Sequence, residues 1–224
     1  MGYYIDLEKL SIDDYRAKLE SAYLPPSRMI LKERTAERFE YFKKCGINNA
    51  KELLTALKKK DRFDLLSKAD SLSAEYLTIL LRELNSILPK PNKISDFIFI
   101  SSETSALLEK SGIKDTLKLY DRVLTNESRK QLSKETGIAE SELMKLTSLT
   151  DLSRIKWVGV TFATMLYELG IDNVEKVSKS DAEELHKMIC QLNKEKSIFK
   201  GQIVLNDIRI LVDAAKEIPS EIEY

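Results

Sequence analysis

Residues 41–54 read YFKKCGINNAKELL, and the fold turns on how the centre, Gly46-Ile47-Asn48-Asn49, is understood. An apolar run ends at a glycine, an isoleucine follows at once, and an asparagine two residues on opens a second apolar run. The residue just past an α-helix adopts the left-handed conformation, where glycine alone escapes the steric cost of a Cβ. In that arrangement the residue after the glycine packs on the one four before it, which places Ile47 on Phe42. Asn49 is a good N-cap for a second helix, and with Glu52 it forms a capping-box-like pair. The stretch therefore predicts helix, glycine stop, side-chain cap, helix.

The pattern recurs. Of seven glycines, four precede isoleucine, at Gly46, Gly112, Gly137 and Gly170. The same spacing sets Ile113 on Leu108 and Ile171 on Leu166, while at Gly137 the position belongs to Ser133 and Leu132 serves instead. Asp115 and Asn173 stand where Asn49 does, and Leu53, Leu119 and Val177 then turn inward. Sliding residues 39–84 onto 105–150 without gaps gives nine identities, and they include Gly46, Leu53, Leu66, Leu77 and Leu80. Matches on turn and core positions are what a duplicated scaffold keeps. A third, more compact copy starts near Asp151, its Ser178-Lys179-Ser180-Asp181 echoing Ser67-Lys68-Ala69-Asp70.

Leu88-Pro89-Lys90-Pro91-Asn92 predicts a stiff linker after the first copy. KLTSLTDLSRI, at the next junction, is apolar enough to pack. Ahead of the copies, Ser11 with Asp14 caps a short helix whose Ile12, Tyr15, Leu19 and Tyr23 share a face, ended by Pro25-Pro26. Near the other end Asn206 is placed to cap a helix carrying Ile208, Leu211, Val212 and Ala215. YYIDL and FIFI are the only β-like fragments, and both are short. An all-α fold is expected, with an N-terminal arm over 1–26 and repeating units over 27–90, 91–150 and 151–224.

Composition narrows the function classes. Hydrophobic residues make up 43 % and charged residues 32 %, too apolar for a disordered chain. No apolar run approaches a bilayer span, and no secretion signal is legible at the start; Asp6 makes myristoylation of Gly2 a poor fit. Two distant cysteines, Cys45 and Cys190, suit a reduced cytoplasmic setting. Basic and acidic residues balance at 36 each, but residues 1–90 hold 17 against 14 and residues 151–224 hold 10 against 13. No basic footprint dominates. His186 is the sole histidine, expected to face solvent while Leu185, Met188 and Ile189 point inward. No catalytic constellation, metal site, cofactor or small-molecule substrate is evident; phosphate-loop and dinucleotide fingerprints are absent. Asp13-Asp14 and Glu183-Glu184 sit at helix starts, where carboxylates favour the dipole.

The stretch Ile155-Lys156-Trp157-Val158-Gly159-Val160-Thr161-Phe162-Ala163 resembles the helix-hairpin-helix motif. Its hairpin reads apolar-x-Gly-apolar-Gly before a helix with a small residue near its start. Gly159 takes the second glycine's place and Ala163 the small position, while Trp157 stands where the first glycine belongs. Residues 151–217 are similar to a small helix-hairpin-helix family of unknown function found at the C-termini of bacterial proteins. The whole chain, with its PSR, LTDLSRIKWVG and KG stretches, is similar to a longer conserved type carrying that module. The resemblance implies tandem helix-hairpin-helix (SAM-like) units, and a turn whose outward N–H groups can donate to backbone phosphates of DNA or RNA.

Arg154, Lys156, Trp157, Gly159 and Thr161 are the candidate contacts there. Trp157, flanked by Ile155 and Val158, is expected to plug the core. In the other copies Thr35 and Ser101 stand where Gly159 does, and a hydroxyl there would cap its own helix. A second candidate is Lys58-Lys59-Lys60-Asp61-Arg62, which reads equally as a solvated helix end. Lost glycines and neutral charge point to a non-enzymatic binding or scaffolding module that docks a protein partner or a second copy. Sequence-independent nucleic-acid binding through the third hairpin and Lys58, Lys59, Lys60 and Arg62 is the alternative.

Overall fold

The computed structural model describes residues 2–224. Among them, regular structure consists of thirteen α-helices and two 3-10 segments, Pro26–Lys32 and Ile94–Asp96. Among the described residues the only strand-like pairings are isolated antiparallel bridges, Ser11 with Asn49 and Lys93 with Asp115. The chain is all-α. Two compact units make it up, one over Ile5–Leu88 and one over Pro89–Tyr224 that also takes in the start of the chain up to Tyr4.

The Ile5–Leu88 unit holds α1 (Ile12–Ser21), α2 (Thr35–Lys44), α3 (Ala50–Lys58), α4 (Lys60–Leu66) and α5 (Ala74–Ser86). Ser11 caps α1 by accepting from the Asp14 amide. The chain turns extended at Ala22, so the helical spacing ends there: Leu24 is buried, and Tyr23, expected on the inner face, is exposed. At the end of α2 the Ile47 amide reaches the Phe42 carbonyl and Gly46 the Lys43 carbonyl, with Gly46 at φ +77°. Asn49 accepts from the Glu52 amide, while the Glu52 carboxylate reaches back to the Asn48 amide. Tyr15, Phe39, Phe42, Leu53, Leu77 and Leu80 fill the centre. Arg38 is buried over the Tyr76 ring and spends its donors on the carbonyls of Ile30, Glu33 and Ser71.

The second unit holds α6 (Ser102–Lys110), α7 (Thr116–Tyr120), α8 (Asn126–Thr136), α9 (Glu140–Leu152), α10 (Val160–Glu168), α11 (Val174–Ser178), α12 (Ala182–Lys196) and α13 (Leu205–Ala215). The glycine latch of α2 is repeated after α6 and α10, where Ile113 and Ile171 donate to Leu108 and Leu166. Asp115 and Asn173 cap α7 and α11 as Asn49 caps α3. After α8 a simpler closure appears, in which the Gly137 amide bonds the Ser133 carbonyl. α9 runs unbroken through positions 150 and 151, where sequence places a junction; with no Pro or Gly there, nothing stops the helix. FIFI forms a turn that buries Phe97 and Ile100 and leaves Ile98 exposed.

Three expectations in the last two helices are corrected, for Asn206, Met188 and the solvent-facing His186. α13 begins at Leu205, so Asn206 lies inside the helix instead of capping it. On α12 the buried stripe is Leu185, Ile189 and Leu192, and Met188 is exposed. His186 is half-buried: its Nε2 donates to the Ile203 carbonyl at 3.0 Å and lies 3.4 Å from the Cys190 sulfur.

Candidate binding surfaces

The hairpin grows out of the end of α9. Turn hydrogen bonds run from Arg154 to Asp151, Ile155 to Leu152 and Val158 to Ile155, and they pull Ile155 and Val158 into the core. Between these two anchors the chain swings outward. Trp157 takes φ +67°, the left-handed region that favours glycine, and the residue is 38 % exposed. The expectation of a core plug is therefore corrected: with Ile155 and Val158 both buried, Lys156 and Trp157 between them form the outer side of the turn. The Lys156 ammonium lies 4.9 Å from the indole centroid, within cation–π reach.

Gly159 then starts α10 from an extended backbone, at φ −84° and ψ −176°. No side chain caps that helix, so its first amides, at Val160, Thr161 and Phe162, have no intrahelical acceptor. A Cβ built on Gly159 meets nothing within 4 Å. Neither backbone conformation nor packing demands glycine here. What its absence of side chain provides is bare backbone at a surface corner, with Thr161 half-exposed beside it.

Arg154 does not join this corner, which corrects its candidacy. It is 3 % exposed and serves as the hub of a buried polar network. Its Nη1 bonds Asp151 at 2.7 Å, Nε the Tyr3 carbonyl at 3.3 Å and Nη2 the Pro219 carbonyl at 3.0 Å, while the Tyr120 ring lies 4.8 Å from the guanidinium carbon. The other Asp151 oxygen accepts from the Val174 amide and the Tyr224 hydroxyl. Desolvation holds the Tyr3 and Tyr224 hydroxyls protonated well above the ordinary value of 10.0.

At the corresponding helix starts, Ser101 accepts from the Thr104 amide and caps α6. Thr35 does not cap α2, contrary to expectation. It is the first residue of that helix, after Arg34 at φ +48°, and its hydroxyl donates to Glu20.

The basic run straddles the one-residue break between α3 and α4, with Lys59 extended at φ −89° and ψ 117°. Lys58, Lys59, Lys60 and Arg62 are all exposed. Lys59 and Arg62 border an open cavity of about 270 Å³ whose walls include Cys45, Ile47, Lys51, Leu65 and Leu66. Sequence reasoning missed this cavity. Its one legible trace is Leu65, apolar beside the buried Leu66 and so off the core-facing stripe of a short helix.

The geometry thus defines an all-α protein carrying an exposed aromatic corner in one unit and a cation-rimmed cavity in the other. The chain belongs to the family described as Domain of unknown function (DUF4332), whose model matches residues 99–218, more than half of its length; the corner lies within the match and the cavity outside it. No curated protein and no solved structure matches the chain. No helix of the described residues is long and apolar enough to cross a membrane.

Proposed function

We propose that the chain is a non-enzymatic binding module of the bacterial cytoplasm, built from helix-hairpin-helix-like units, that docks a protein partner through the corner at 156–161. The observation that supports this is Trp157. A left-handed backbone costs a residue with a side chain roughly 1–2 kcal/mol, and glycine would remove that cost. The sequence instead holds its largest side chain there, partly exposed, beside a cation. Tryptophan, with tyrosine and arginine, is among the residue types on which protein interfaces concentrate their binding free energy.

Charge favours protein over nucleic acid as the occupant. Arg154 is committed to Asp151, and Lys156 is the only other cation in the segment 154–163. Each neutralised phosphate contributes a slope of about −0.9 to the salt dependence of duplex binding. One such contact supports little affinity at physiological salt. A second reading, contact with a nucleic-acid backbone, is favoured by the uncapped start of α10 and the open face of Gly159.

Trp157 is the chain's only tryptophan, so its emission reports on the corner alone. Immobilised full-length chain, wild-type, Trp157→Ala and Gly159→Glu, is exposed to nuclease-treated bacterial extract. In parallel, wild type is titrated with single-stranded and duplex DNA while Trp157 emission is followed. The expected result is a protein, or a second copy seen by sedimentation, that wild type retains and Trp157→Ala loses, with emission unmoved by DNA at physiological salt. Emission that responds to DNA, weakens steeply with salt and is abolished by Gly159→Glu selects the second reading. Retention indifferent to both substitutions refutes the corner.

A further inference from the structure

We propose that the cavity bordered by α3 and α4 is a docking groove for an acidic, amphipathic peptide segment of a protein partner. The inference is independent of the corner, since every residue in it belongs to the Ile5–Leu88 unit.

Three observations carry it. The first is the floor. Ile47 and Leu66 are buried core residues whose outer surfaces line the cavity, and Leu65, 53 % exposed, extends that apolar surface to the edge. An exposed leucine alone needs no explanation; one continuous with a cavity makes a seat for an apolar side chain. At about 270 Å³ the space falls just short of the ~300–1,000 Å³ typical of small-molecule sites. It suits an anchor residue of a peptide better than a metabolite.

The second is the rim. Lys51, Lys59 and Arg62 surround the seat, and among the described residues none of them has a carboxylate within 4.0 Å. The single acid on the cavity wall, Glu52, is turned to the Asn48 amide at 2.7 Å. Ion pairs do form elsewhere on the surface, as with Lys43 on Asp13 and Lys196 on Glu168, but among the described residues none reaches this rim. The rim is thus complementary to an acidic partner, which it would steer and orient.

The third is what the cavity lacks. No aromatic side chain lines it, so a single strand would find cations for its phosphates but no platform for its bases. Nucleic acid leaves the apolar floor unused; an amphipathic helix with acidic flanks uses both floor and rim.

The test uses the full-length chain and a fluorescein-labelled peptide with leucines on one helical face flanked by glutamates. Comparison probes carry serine for leucine, or lysine for glutamate; a single-stranded oligonucleotide of matched charge is a further arm. Polarisation should show binding of the acidic amphipathic peptide alone. Leu65→Asp is expected to weaken it by about tenfold or more, the scale of losing one buried leucine. The double substitution Lys59→Gln with Arg62→Gln should remove most of its salt dependence, and Trp157→Ala should leave it unchanged. In the unmodified protein the bound peptide should also slow maleimide labelling of Cys45, an exposed thiol on the cavity wall, a readout that needs no variant to fold. No peptide binding, equal binding of the serine probe, tighter binding of the oligonucleotide, or binding without Cys45 protection overturns the proposal.

Discussion

Gly112 and Gly159 show how one residue type serves two purposes. Gly112 sits at φ +78°, just past α6, and its amide closes on the Glu109 carbonyl. Gly159 has an ordinary extended backbone and nothing over its face. Gly112→Ala should therefore destabilise the chain by roughly 1 kcal/mol, because alanine must adopt a left-handed backbone. Gly159→Ala should leave stability within about 0.5 kcal/mol of wild type, as surface changes without a strained backbone do. Urea melts of the two variants compare these directly; equal losses would mean that Gly159 is structural. At the same scale lies the hardest thing to read from sequence. The side-chain direction of Trp157 depends on the sign of one dihedral, and that sign is set by the simultaneous burial of Ile155 and Val158.

At the scale of elements, what could be read was what is local. Glycine stops, latching isoleucines and Asn or Asp caps involve partners within five residues, and Phe42, Leu108 and Leu166 receive the bonds their spacing predicts. The cap of α7 illustrates the energetics. This helix has only five residues and its start depends on Asp115, which accepts from the Lys118 amide at 2.9 Å. Asp115→Ala should cost about 1 kcal/mol, checked as a shift in the urea midpoint with unchanged slope. Elements whose ends lack such signals were misplaced. α13 starts without a side-chain cap, so Asn206 drew the boundary to itself. The burial of Arg154 was illegible for the opposite reason, since its partners Tyr3 and Pro219 lie 151 and 65 residues away. The α3–α4 cavity is a property of two helices in space, and one stray leucine was its entire signature.

Across the whole molecule, tyrosines tie each unit to proton concentration. Burial raises the hydroxyls of Tyr15 and Tyr76 in one unit, and of Tyr3, Tyr120 and Tyr224 in the other, well above the ordinary 10.0. A group whose folded value is raised binds its proton more tightly in the folded state. Its contribution is complete below pH 10 and is lost as pH climbs beyond. Alkaline unfolding should therefore set in above pH 10, with tyrosinate absorbance and loss of helical dichroism rising together; tyrosines ionising fully while the helices persist would contradict this.

The Arg154 network has a consequence for the order in which the second unit assembles. Each glycine-latched helix pair closes a short loop, whereas the network gathers residues 3, 151, 154, 219 and 224 from stretches remote in the chain. Contacts across long separations carry the larger loop-closure entropy, so they should form on the native side of the kinetic barrier. Asp151→Asn should accordingly speed unfolding in stopped-flow measurements while leaving the refolding rate almost unchanged. The latch at Gly112 and the knot at Arg154 would then mark the early and late ends of one folding reaction.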